Sequence, residues 1–261
     1  MKRMILYIDG SSNDRDSLSY AAKFHEAFGA HLDVTHLRLP EHKVGSVARA
    51  IDVAERAASN AYQAYVSVCG ALDTASWLET EQSFEDTLSH QGRLHDLTIL
   101  ERISKEEGPE ALALNIALFE TGGPVLVSPP QPPASVGENV ALVWSPSVQS
   151  ARALRSALPI LKRAKQVSIL TNSATVEKGQ EKDLASYLTS HGIDAKMELF
   201  DGAPLTARGR GRAILAAAEQ IGADFLVMGA YGENRLRSIL GLGRATQKVV
   251  SGSPIPLFLQ R

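Results

Sequence analysis

The sequence of 261 residues repeats its own plan at half its length. The opening run "RMILYID" is short, apolar and rich in strand formers. It gives way to the polar "GSSNDRD", where Ser11, Ser12 or Asn13 can cap a helix, and then to "SLSYAAKFHEAF", with Leu18, Ala21, Ala22 and Phe28 at helical spacing and Gly29 as a stop. Past the proline-rich "PPQPPASVGE", Pro129 to Glu138, the segment "ENVALVWSPSVQSARALRSALPILKRAKQVSILTN" restarts the order of strand, polar turn, helix and strand. Ser145 stands there 136 positions after Asp9. Later, "ADFLVMGA" repeats "HDLTILER" and "SPIPLFL" repeats "TGGPVLV". A half-chain period means two copies of one supersecondary unit.

Between these anchors the first copy continues with a strand at "AHLDVTHL", a long helical stretch from about Val44 to Val68, a strand near Trp77 and a helix to about Gly92. The strand "DLTILE", the helix "PEALALNIALFETGG" and the strand "PVLVS" complete it. Strands that alternate with helices predict parallel sheets covered on both faces. The expected fold is therefore α/β: two tandem Rossmann-like domains, residues 1–128 and 139–261, each a five-stranded parallel sheet, joined by a linker over residues 129–138. Such sheets bind ligands beyond the carboxyl ends of their strands, where the strand order reverses. Asp9 and Ser145 fall at strand ends, and Gly229 and Gly232 directly follow a strand.

Several function classes are disfavoured. With 27 basic against 29 acidic residues the chain has no basic excess for nucleic acid. Cys69 is the only cysteine, which excludes an intrachain disulfide and a cysteine-based zinc cluster, fits a reducing compartment, and reads as an inert helix residue. The apolar run Met4–Ile8 is too short for a secretory signal, and no apolar span approaches 18 residues, so a cytoplasmic protein without membrane contact is expected. The histidines show no metal-ligand spacing, and no nucleophile, base or paired catalytic carboxylate stands out. "ARGRGR", Arg208 to Arg212, reads as a solvated flexible loop.

Four features together resemble the universal stress protein family: "YIDGSS" with its strand-end Asp9, "GADFLVMGAYG", the basic "RLRSILGLG", and the closing "SPIPLFL". The resemblance spans nearly the whole chain as a tandem pair and implies the adenine nucleotide α-hydrolase-like form of the fold. Nucleotide-binding members read G-x2-G-x9-G-[ST] after the fourth strand. Glycines there allow φ > 0 and let backbone amides approach a phosphate, and a helix starting near Ala245 would present its unpaired N–H groups. Carried over, the resemblance implies phosphate contacts at Gly229, Gly232, Gly243, Ala245 and Thr246, and Arg244 stands among them where the family has a hydroxyl residue. It places the adenosine end against Ser145, Thr171 and the Met228–Gly229 backbone. The implied ligand is ATP or a related adenine nucleotide, with no metal beyond nucleotide-bound Mg.

The departures matter as much. Ten residues separate Gly232 from Gly243, Arg244 replaces a hydroxyl residue, and Ser145-Pro146 replaces Asp-Gly. Gly241 could absorb the extra residue, and Arg244, Arg235 and Arg237 could supply positive charge. The first half keeps Asp9 but lacks the glycine loop and offers Glu101, Glu106 and Glu107 where phosphates would lie, so it reads as a non-binding partner domain. Asp9 there has the plainer role of turn former or helix cap. The function expected is a stress or regulatory protein that binds nucleotide in its second half, not an enzyme beyond a slow ATPase. The alternative is a nucleotide-independent scaffold on a decayed site. A homodimer and a signalling protein are the partners left open.

Overall fold

The computed structural model describes residues 1–37, 47–80, 82–101, 103, 108–129, 131, 133, 135–173, 180–201, 206–231 and 244–261; for 47–51, 180, 181 and 244 it describes the backbone alone. The chain divides into two compact units, Met1–Pro132 and Pro133–Arg261.

The first unit runs β1 (Arg3–Ile8), α1 (Asp14–Phe28), β2 (His31–His36), α2 (Val47–Cys69), β3 (Ala75–Leu78), α3 (Phe84–Gly92), β4 (Leu97–Leu100), α4 (Pro109–Glu120) and β5 (Val125–Val127). Its sheet is parallel throughout, in the order β3-β2-β1-β4-β5. The second runs β6 (Asn139–Trp144), α5 (Val148–Leu161), β7 (Gln166–Asn172), α6 (Gln180–Ser190), β8 (Ala195–Phe200), α7 (Ala207–Gln220), β9 (Phe225–Gly229), α8 (Arg244–Gly252) and β10 (Leu257–Gln260). Its parallel order, β8-β7-β6-β9-β10, is the same topology. Right-handed crossovers on either side of the first strand put the first two helices of each unit on one face of its sheet and the last two on the other.

Central strands covered on both faces should be apolar without interruption. Met4 to Ile8 in β1, Leu97 to Leu100 in β4 and Phe225 to Met228 in β9 are all buried, whereas the edge strand β8 has no fully buried residue. In α1, Gly29 ends the helix in the left-handed conformation at φ 57°, as its place in the sequence suggests. Asn13 occupies the cap position without a side-chain cap bond, and the Asp14 carboxylate reaches back to the Asp9 and Gly10 amides instead.

The repeat is visible in its hydrogen bonds. Ahead of β4, Asp96 accepts from the backbone amides of Lys2 and Arg3 at 2.5 and 3.2 Å. Ahead of β9, Asp224 accepts from those of Glu138 and Asn139 at 3.0 and 2.8 Å. Each carboxylate satisfies amides at the start of the unit's first strand and fixes the crossover register. The amide bonds from Lys2, with that from Arg3, hold the Asp96 carboxyl below its ordinary range against the cost of partial burial.

Also at the amino-terminal edge of the first sheet, Asp33 is 1% exposed. Its carboxylate lies 2.8 Å from His95 Nε2, 2.6 Å from Arg3 and 3.2 Å from His31 Nε2. The other nitrogen of the His95 ring faces the Gln91 carbonyl at 2.6 Å, so both are placed to donate. Burial acts to raise the Asp33 pKa, but hydrogen bonds from His95 and Arg3 outweigh it and the net shift is downward. A carboxyl lowered on folding adds stability that is fully present above its unfolded value, about 3.9, and is lost as pH falls through the folded value. Asp33→Asn should cost about 3 kcal/mol near neutrality by leaving buried donors without their counter-charge. Urea unfolding of the wild type should show a steeper loss of stability below about pH 4 than that of Asp33→Asn.

Candidate functional site

In each unit the chain steps outward from its first strand through the second and third, then returns to place the fourth on the other side. The connections leaving the first and fourth strands diverge at that point, opening a crevice at the carboxyl ends of β1 and β4, and of β6 and β9.

In the second unit, β6 ends at Trp144 and Ser145 is the first residue beyond it. Ser147 caps α5, its Oγ accepting from the Ser150 amide at 3.2 Å. Ser145 Oγ lies 3.0 Å from Ser150 Oγ and 3.2 Å from Ser147 Oγ, so the Ser145 hydroxyl is part of the same cap. Met228 pairs in register with Val143 of β6 and is buried. Gly229 closes the strand directly against the start of α5: a Cβ there would lie 2.6 Å from the Ser150 amide nitrogen and 2.7 Å from the Gln149 carbonyl carbon. Only glycine lets the helix start rest on the strand end.

Beyond Gly229, the Ala230 amide donates to Gln260 at 2.8 Å. Tyr231 then turns the chain with φ 55°, a left-handed conformation that a bulky residue adopts only when its surroundings enforce it. Its amide donates to Thr246 Oγ1 at 3.4 Å, and both side chains are buried. Burial raises the Tyr231 phenol pKa. Because α8 begins at Arg244, Ala245 and Thr246 lie in its first turn beside the exit of β9. Thr171 sits one strand away, in register with Trp144 and buried near the end of β7.

Ser145, Met228, Gly229 and Thr246 are thus gathered at one end of the sheet, with Ala245 beside Thr246 and Thr171 adjacent. Gly232 and Gly243 lie outside the described residues, as do Arg235, Arg237 and Gly241; Arg244 is described by its backbone alone. "ARGRGR" is not a flexible loop. Thr206 caps it, its Oγ1 accepting from Gly209 at 3.1 Å, and it forms the first turns of α7. A Cβ on Gly211 would lie 2.8 Å from the Ala245 carbonyl, so the glycine that looked like a loop residue admits the amino-terminal turn of α8 against α7. Nothing in the local pattern separates the two roles.

The corresponding crevice of the first unit has different chemistry. Asp9 acts as a turn former, accepting from Ser11 at 2.9 Å. Its carboxyl, with those of Asp14 and Glu101, offers oxygens that all lie within 4.8 Å of one another. Burial, reinforced by Asp9, raises the Asp14 pKa, and burial with both aspartates raises that of Glu101 well above the carboxylate range. The space measures about 110 Å³, well below the roughly 300–1,000 Å³ of small-molecule sites. Glu106 and Glu107 lie outside the described residues. Asp14 was the residue overlooked in the sequence; the offset that joins Asp9 to Ser145 also joins Asp14 to Ser150.

The universal stress protein family model matches residues 138–261. The chain carries a universal stress protein domain. The two-unit fold is shared along its length with a universal stress protein from Archaeoglobus fulgidus DSM 4304, at 19% identity and a TM-score of 0.77, over 99% of this chain and 96% of that one. A candidate universal stress protein from Pseudomonas aeruginosa UCBPP-PA14 aligns at 15% identity and a TM-score of 0.61, covering 100% and 93%. No curated protein matches the chain. Among the described residues, no helix is long and apolar enough to cross a membrane.

The seat of Gly229 generates a direct expectation. Gly229→Ala should destabilise the second unit by about 1–3 kcal/mol, the usual cost of forcing atoms into a packed contact. Gly123→Ala, whose new carbon meets nothing nearer than 3.6 Å, should stay close to wild type. Thermal and urea unfolding of the two variants check this.

Proposed function

We propose that the second unit binds an adenine nucleotide, ATP or a relative, and that the first unit is its partner domain without a nucleotide of its own. The observation that carries this reading is the meeting of two helix starts at the carboxyl end of the sheet: α5 rests on Gly229, and Thr246 of α8 takes the Tyr231 amide. The positive ends of two helix dipoles then lie beside one crevice, which suits an anion. In the family's arrangement the adenosine would lie against Ser145, Thr171 and the Met228–Gly229 backbone. The phosphates would lie toward Gly232, Gly243, Arg244, Ala245 and Thr246, with Mg entering only on the nucleotide.

Ser145 offers less than the aspartate it replaces. A lost charged hydrogen bond is worth about 1.5–3 kcal/mol, so the affinity would be roughly ten- to a hundredfold below that of a carboxylate site. The protein is then a binder rather than a catalyst, with turnover no faster than slow ATP hydrolysis. The commitment of the Ser145 hydroxyl to the α5 cap favours a second reading, in which the domain is a nucleotide-independent scaffold for protein contacts.

Titration calorimetry with ATP separates these readings. The wild type should bind and Asp9→Ala should bind nearly as well. Gly232→Val should not, because a β-branched side chain fills the approach to the phosphate and resists φ > 0. Binding lost in Asp9→Ala but kept in Gly232→Val would move the site to the first unit. No heat from the wild type at millimolar ATP would favour the scaffold.

A further inference from the structure

We infer that the first unit's crevice holds a proton latch: Glu101 keeps one proton at neutral pH and hydrogen-bonds through it to Asp14 or Asp9. The three carboxyls reach one another from different elements, Asp9 after β1, Asp14 in the first turn of α1 and Glu101 directly after β4. Three backbone donors are committed to the aspartates: the Asp9 and Gly10 amides to Asp14, and the Ser11 amide to Asp9. Glu101 Oε1 is closed off from solvent with no donor to meet it. A carboxylate there would face two others with one of its oxygens shut off from solvent, whereas a carboxylic acid replaces repulsion with a hydrogen bond.

Among the described residues, none lining the crevice supplies a charge that would neutralise it. Glu110, from α4, lines the crevice and adds negative charge, and the residue after β2 contributes the apolar Leu37. Tyr7, from β1, turns its hydroxyl to the Thr87 and Leu88 carbonyls, 3.3 Å away. Arg15, beside Asp14 on α1, is exposed. α2 crosses at Gly10 by way of Ala57, and its nearby charges, Arg56 and Asp52, pair with each other on the surface at 2.6 Å. No described cation lines the crevice; Arg102 and Lys105 lie outside the described residues. Burial together with the two aspartates acts on Glu101 in the same direction as the geometry.

The second unit supplies the internal comparison. By the repeat, Asp9, Asp14 and Glu101 correspond to Ser145, Ser150 and Gly229, and none of those three titrates. The latch therefore belongs to the first unit alone. It is also separable from nucleotide binding in the second.

The sign follows from linkage. The folded latch keeps a proton that the unfolded chain has released, from the ordinary glutamate range of about 4.3 upward through neutrality. Stability therefore falls as pH rises, and the unfolding constant of the first unit should grow by up to about tenfold per pH unit. Urea unfolding of the full chain from pH 5 to 9 tests this against Glu101→Gln, whose amide donates without titrating. The wild type should show the slope and the variant should lose it. Equal slopes in the two would overturn the proposal. Should the variant not fold, the infrared spectrum of the wild type serves: a protonated-carboxyl band at neutral pH that disappears at alkaline pH supports the latch, and its absence overturns it. Stabilisation by added magnesium or calcium chloride at pH 8, without that band, would mean a cation holds the carboxyls together and would likewise overturn it.

Discussion

In both units the residue that ends the fourth strand must share space with the start of the helix that follows the first strand. Where the residue is Gly229, the α5 backbone comes down to contact distance, and the crevice above stays free of side chains from the strand end. Where it is Glu101, a carboxyl fills the same region, and the turn beneath is rebuilt around Gly10 at φ 88° and the Asp14 carboxylate. One position is glycine in one copy and glutamate in the other. The different readings proposed for the two units follow from it.

The opposite edge of each sheet is built for stability. Asp96 and Asp224 bind the amides that begin the first strand of each unit. In the first unit Asp33, His95, Arg3 and His31 add a buried polar network at the strand starts. Polar groups so arranged hold β1, β2 and β4 in register from below, which leaves the carboxyl ends free to diverge. Parallel α/β sheets divide stability and ligand contact between their two edges in this way.

Much of this was legible in the sequence because it depends on local pattern. Apolar runs, helical spacing, Gly29 as a helix stop and the half-length repeat follow from backbone preferences and strand burial, and they place Asp9, Ser145 and Gly229 at strand ends. What was not legible depends on distant partners. Asp33 and His95 are 62 positions apart; from sequence alone, Asp33 is a polar residue in an alternating strand and His95 a lone histidine. Gly211, within Arg208 to Arg212, is a glycine because α8 packs close, a reason located in Ala245 and Lys248. Asp14 resembles an ordinary acidic residue in the first turn of a helix until Glu101 comes to meet it. The repeat held that last clue, since aligning the halves places three acids opposite two serines and a glycine.

The central claim is that the two units do different chemistry at the same place in the fold. Amide hydrogen exchange of the full chain, with and without ATP, measures this most directly. The account predicts added protection in peptides spanning 145–150, 228–231 and 244–250, with little change over 9–14 and 97–101. Protection concentrated at 9–14 and 101, or none in either unit at saturating ATP, would contradict it.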